Sequence, residues 1–169
     1  MRTVELFAGG GGLAIGLKQA GFKPKAIIEF NRHACQTLRK NHLTDSEHFL
    51  YEGDVRLFNY DQIARTENEC IQLVSGGPPC QPFSLGGNHK AFNDDRDMFP
   101  EAVRAIRELK PQAFIFENVK GLLRKSFSAY FEYILLQLQF PDKNKYPDET
   151  WETHYERLKK TVMPAMTMH

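Results

Sequence analysis

The chain has 169 residues, enough for one domain with a sizeable core and short for two. Its formal net charge of +1 carries no global basic bias, so a nucleic-acid surface, if present, has to be local. No stretch approaches the roughly 20 apolar residues of a membrane span, and the opening Arg2-Thr3-Val4-Glu5-Leu6 lacks the apolar core of a signal peptide; a soluble, cytoplasmic protein with no membrane partner is expected.

Val4 to Phe7 reads as a short buried strand, followed by Ala8 and the glycines Gly9 to Gly12, then a helical pattern in Leu13, Ile15, Leu17 and Ala20 that stops at Gly21. Lys25 to Glu29 gives a second strand. Asn31 is placed to cap a helix running toward His42, and a third strand over Phe49 to Glu52 precedes Gly53-Asp54-Val55. Ile71 to Ser75 makes a fourth strand, Met98 to Leu109 an amphipathic helix, and Ala113 to Phe116 a fifth strand ending in Glu117-Asn118-Val119. Strands alternating with helices predict an α/β fold with a parallel sheet covered on both faces.

Phe127 to Phe140 carries a dense apolar stripe suited to a helix on that sheet. Beyond it the character changes: Pro141 to Glu149 is polar with two prolines, Trp151 to Lys160 suits a charged helix, and Thr161 to His169 has no periodicity. Residues 1–140 are therefore read as the cofactor-binding and catalytic domain, and 141–169 as a tail or partner-binding segment without an assigned fold.

Gly9-x-Gly11-x-x-Ala14 between a strand and a helix, with Glu29 at the end of the next strand, has the form of a nucleotide-binding turn. Glycines let a ligand approach the helix start, and a strand-end carboxylate can accept both hydroxyls of a ribose. Asp54, at the third strand end, is placed to accept from an adenine amino group, with Phe30 and Val55 on either side of the ring. Standing alone, Asp54 would equally suit a turn or a helix cap. The pattern leaves NAD and S-adenosylmethionine both open.

Gly76-Gly77-Pro78-Pro79-Cys80-Gln81-Pro82-Phe83-Ser84 sets a thiol into a proline-rich turn after the fourth strand. A lone intracellular cysteine is most often a small buried hydrophobe. Proline, however, fixes φ and removes a donor, so Pro78, Pro79 and Pro82 stiffen the approach to Cys80 in the manner of a presented nucleophile. Such a thiolate suits alkyl transfer through a covalent intermediate and has no use in hydride transfer. Three cysteines without a CxxC pair and six histidines without HExxH suggest neither a metal site nor a disulfide framework.

Phe7-Ala8-Gly9-Gly10-Gly11-Gly12, Gly53-Asp54, Gly76 to Ser84 and Phe116-Glu117-Asn118-Val119 resemble, in order and spacing, successive motifs of the DNA (cytosine-5) methyltransferases. The resemblance covers roughly residues 2–125. It implies a Rossmann-like S-adenosylmethionine-dependent fold, incomplete at its C-terminal edge, acting in DNA methylation within a bacterial restriction–modification system. By the same resemblance Cys80 adds to carbon 6 of a cytosine in duplex DNA. Glu117 binds the ring nitrogen and exocyclic amine, and the methyl group goes to carbon 5. Phe7, Ala8, Gly9, Gly11, Gly12, Glu29, Phe30, Asp54, Val55 and Pro79 match cofactor-pocket positions. Met98 falls where the family often has leucine, in a stretch from Asp94 one residue shorter than the family's. Gln81 to Asn93 corresponds to the loop that closes over DNA, with Ser84 and Lys90 as candidate backbone contacts.

The family's later motifs, a Q-x-R-x-R strand and a target recognition domain, have no counterpart after Val119. The fifth strand would then be an open sheet edge, which implies a second polypeptide supplying recognition and closing elements, or a truncated chain. Methylation of RNA cytosine by the same fold, and a non-catalytic cofactor-binding remnant, stay open as alternatives.

Overall fold

The computed structural model describes residues 1–41, 43, 49–63, 70–79 and 97–162. Five strands, β1 (Arg2–Leu6), β2 (Lys23–Glu29), β3 (Phe49–Glu52), β4 (Leu73–Gly76) and β5 (Ala113–Phe116), form one sheet in the order β3-β2-β1-β4-β5. Every pair is parallel. The chain moves outward from β1 to β3 and returns to lay β4 against β1, so strand order reverses between β1 and β4. In an open parallel sheet the loops diverge at that point and leave a crevice outside the carboxyl ends of the strands.

Alternation along the strands sets the two layers. Ile27 meets Ala14 of α1 (Gly12–Gln19) and Leu38 of α2 (Arg32–Lys40), with Leu43 beside them. Val4, Leu6, Ala26, Ile28 and Val74 join a larger core with α3 (Phe99–Leu109) and α4 (Ser128–Gln139). Asn31 caps α2 as expected, its Oδ1 accepting from the backbone of His33 at 2.9 Å and Ala34 at 3.1 Å. His42, the expected limit of that helix, lies outside the described residues; α2 ends at Lys40.

Two positions are closed to any side chain. A Cβ on Gly76 would collide with the Leu6 carbonyl, so glycine permits β4 to finish tight against β1. Gly11 has φ +87° and faces Leu38 and Leu43, where a Cβ would overlap both side chains. Glu5, in the middle of β1, is fully buried, and burial pushes its carboxyl up to about 7.

The segment after residue 140, to which the sequence assigned no fold, packs on the core. Here α5 (Trp151–Val162) lies along α4. Trp151, His154, Tyr155 and Leu158 recur at helical spacing; the last is fully buried, and Trp151 meets Tyr130 edge-on at 5.4 Å between centroids. His154 Nε2 donates to the Lys143 carbonyl at 2.9 Å, and Nδ1 accepts from the Tyr133 hydroxyl at 2.8 Å. Burial holds this imidazole below its ordinary pKa. Arg157 pairs with Glu149 at 2.8 Å and lies 4.3 Å over the Tyr146 ring, tying the polar 141–149 stretch down. The charged residues that dominate this stretch cover an amphipathic face.

At the other limit of the sheet β5 is an edge among the described strands, with Phe114 41% and Ile115 50% exposed on opposite faces. None of the described helices is long and apolar enough to cross a membrane.

Truncating Leu158 to Ala tests whether α5 belongs to the cooperative fold. A loss of about 2–5 kcal/mol in urea unfolding is expected for a fully buried leucine; an unchanged midpoint would place α5 outside the folded unit.

Candidate active site

Directly after β1 the chain turns sharply, with Phe7 at φ +54° and Gly9 at φ +54°. A bulky residue in the left-handed region is strained and persists only when its surroundings hold it. Here the hold is explicit. The Ala8 amide donates to the Ile28 carbonyl at 3.3 Å, and the Gly9 amide donates to Glu29 Oε2 at 2.7 Å. The second oxygen of Glu29 accepts from the Asn31 amide at 2.6 Å, just before α2 begins. One buried carboxylate therefore joins the glycine turn to the end of β2.

Beside this turn a cavity of about 510 Å³ opens at the point of strand reversal, lined by Phe7, Ile28, Glu29, Phe30, Gly53, Asp54, Val55, Arg56, Pro79 and Met98. Its walls are apolar, with carboxylates at Glu29 and Asp54 and one cation, Arg56. Phe30 is 75% exposed, an aromatic face with room for a planar partner. Asp54 caps the short 3-10 turn Val55–Leu57 through the Arg56 amide at 3.0 Å. The Arg56 hydrogen bonds hold its carboxyl below the usual carboxylate range.

The proline turn is held at successive carbonyls. Asn118 Nδ2 donates to the Pro78 carbonyl at 2.7 Å, while the Met98 amide donates to the Pro79 carbonyl at 3.1 Å. Cys80 itself lies outside the described residues, as do Ser84, Lys90 and the loop from Gln81 to Asn93. The described part of the turn ends at two prolines of fixed φ whose carbonyls are both held. Glu117, exposed at the end of β5, donates its amide to the Gly76 carbonyl at 3.0 Å. An ideal Cβ on Gly77 would sit 3.5 Å from Glu117 Oε2, which places that carboxylate against the turn leading to Cys80.

Of the residues singled out for a cofactor, Phe7, Glu29, Phe30, Asp54, Val55, Pro79 and Met98 line the cavity. Ala8, Gly9, Gly11 and Gly12 do not; they build the turn, with Gly11 turned toward Leu38 and Leu43. Sequence reasoning missed Ile28, Gly53 and Arg56. The spacing Asp54-Val55-Arg56 was the available signal, since a side chain two residues on can fold back to the carboxylate. It also missed Asn118 as the residue that grips Pro78.

The doubly wound sheet and its switch-point cavity define a nucleotide-binding α/β fold, and its likeness to known proteins makes it an S-adenosylmethionine-dependent methyltransferase fold. The sequence profile of the C-5 cytosine-specific DNA methylases matches residues 1–146, and the chain belongs to that family. It is 44% identical over 135 residues to the type II methyltransferase M.NgoMIV of Neisseria gonorrhoeae, covering 80% of this chain and 41% of the relative. Against M.PspPI of Psychrobacter sp. it is 45% identical over 137 residues, 80% of this chain and 31% of the relative. M.AquIA of Picosynechococcus sp. is 37% identical over 146 residues, 84% of this chain and 58% of the relative. The chain thus spans 31–58% of the length of these relatives, less than two thirds of each. Among solved structures, a chain described as a prophage-encoded DNA modification methyltransferase of E. coli superposes with TM-score 0.61 at 27% identity, over 83% of this chain and 37% of that one. DNMT2 of Spodoptera frugiperda gives 0.57 at 23% identity over 81% of this chain and 41% of that one, a likeness of fold.

The cavity fits the family's cofactor. Glu29 keeps lone pairs beyond the two backbone donors it holds, enough for ribose hydroxyls. Apolar Phe30 and Val55 suit a purine, and the volume falls within the usual range for small-ligand sites.

Replacing Asn118 by Ala leaves the Pro78 carbonyl without its donor and should lower unfolding stability by about 1–2 kcal/mol. Asn118→Asp, which sets a carboxylate against that carbonyl, should lose more. Equal stabilities of all three proteins in urea would contradict the grip.

Proposed function

We propose that this chain carries the cofactor-binding and catalytic part of a DNA cytosine-5 methyltransferase. Its reaction moves a methyl group from S-adenosylmethionine to carbon 5 of cytosine in duplex DNA through a covalent Cys80 adduct. The observation that carries the reading is the meeting of three strand ends: the acidic cavity of Glu29 and Asp54, the clamped Pro78-Pro79 mount of Cys80, and the Glu117 carboxylate against Gly77. Residues 1–140 hold this chemistry.

The bound cofactor would supply the methyl group. Glu29 would receive the ribose hydroxyls and Asp54 the adenine amino group, with Phe30 and Val55 beside the ring. Phe7, Pro79 and Met98 would close the opposite wall. Cys80, as thiolate, would add to carbon 6 of a cytosine and make carbon 5 nucleophilic; loss of the carbon 5 proton would expel the thiolate. Glu117 would hold the ring nitrogen and the exocyclic amine, stabilising charge as it develops. Reaching a stacked base requires flipping it out of the duplex.

Exposed Lys120, Arg124 and Lys125 follow directly on Glu117 and have no carboxylate partner among the described residues. They suit phosphates beside the site. The apolar edge of β5 suits a second polypeptide that extends the sheet and supplies target recognition. The bacterial relatives and their type II designation suit a cytoplasmic restriction–modification role.

The test incubates the chain with cofactor and duplex DNA containing 5-fluorocytosine, with and without candidate partner chains. The 5-fluoro group blocks proton loss, so a stable protein–DNA adduct is expected, absent in Cys80→Ala. An adduct that persists in that variant refutes the nucleophile. Cofactor binding without any adduct in every mixture supports a non-catalytic remnant, and methyl acceptance by RNA alone overturns the DNA substrate.

A further inference from the structure

Arg56 binds the one carboxylate at the Asp54 end of the cavity with unusual completeness. Its backbone amide donates to Oδ1 at 3.0 Å, its Nε reaches Oδ1 at 3.0 Å and Oδ2 at 2.9 Å, and its Nη2 reaches Oδ2 at 2.5 Å. A carboxylate offers about four lone-pair directions, and three Arg56 N–H groups, the Nε one shared between both oxygens, occupy most of them. Yet the pair is not locked in. The Arg56 side chain is 51% exposed and that of Asp54 22%, so water and salt weaken the attraction and the guanidinium can leave. Both residues line the same cavity.

We propose that Arg56 is a resident competitor for the Asp54 carboxylate, so that an adenine amino group seeking its hydrogen bond there contends with the guanidinium N–H groups already in place. This rests on the reading that Asp54 receives the adenosine of the cofactor. Arg56 thereby sets how strongly the site selects for the 6-amino group, and it keeps the carboxylate paired whenever the cavity holds no adenosine. The geometry contrasts with Glu29, whose donors are backbone amides of fixed position that no ligand displaces.

The experiment measures dissociation constants by calorimetry for two probes, S-adenosylhomocysteine and its analogue lacking the 6-amino group, on wild type, Arg56→Gln, Arg56→Lys and Asp54→Asn. S-adenosylhomocysteine has no sulfonium charge, so simple repulsion by Arg56 is small, and any general charge effect would move both probes together. Loss of one exposed charge pair corresponds to roughly fivefold in affinity. Arg56→Gln should therefore tighten S-adenosylhomocysteine about fivefold and leave the des-amino analogue unchanged, with Arg56→Lys in between. Raising salt from about 50 to 500 mM should narrow the gap between wild type and Arg56→Gln. Weaker binding of S-adenosylhomocysteine by Arg56→Gln, or an equal shift for both probes, overturns the competitor role. Should wild type and Asp54→Asn bind both probes alike, the adenosine reading itself fails, and the competitor with it.

Discussion

The turn after β1, the end of β2 and the start of α2 depend on a single side chain, the Glu29 carboxylate that accepts from Gly9 on one side and Asn31 on the other. The turn after β1 puts Phe7 in the left-handed region, a conformation a phenylalanine abandons unless something holds it. A carboxylate at the end of the neighbouring strand, with two short charge-assisted hydrogen bonds, is a strong hold. Because Asn31 also caps α2, the same few atoms align the glycine turn, the end of β2 and the start of α2. The cavity beside them is the space those fixed elements leave.

The proline turn repeats the principle with different groups. Proline has no amide to offer, so Pro78 and Pro79 can be fixed only through their carbonyls, and donors arrive from Asn118 and Met98. One comes from the end of β5 and the other from the start of α3, so the turn is held by elements that follow it in the chain. Gly76 completes the arrangement by letting β4 end against the Leu6 carbonyl.

The strands and their order of chemistry were legible because each is a short apolar run closed by glycine, asparagine or aspartate, and because parallel sheets gather ligand groups at strand ends. Glu29 could be placed at the strand end that now lines the cavity, but its hold on Gly9 could not be read, since that bond joins strands paired only in three dimensions. The helix α5 was underread: between Trp151 and Leu158 charged residues hide a face whose members, His154 and Tyr155 among them, meet aromatic partners on α4. Arg56 went unremarked, although its place two residues after Asp54 allows its side chain to fold back onto that carboxylate. The edge at β5 was legible from the resemblance alone. It followed from the family's later motifs having no counterpart after Val119, and β5 is indeed an edge among the described strands.

The central claim is that Glu29 serves two masters at once, holding the turn through backbone amides while presenting its remaining lone pairs to a ribose. Comparing the affinity of this chain for S-adenosylhomocysteine with that for its 2′,3′-dideoxyribose analogue tests this most directly. The account predicts a preference of about tenfold or more for the intact ribose, the worth of hydrogen bonds to a charged acceptor. Equal affinities for the two ligands would contradict it.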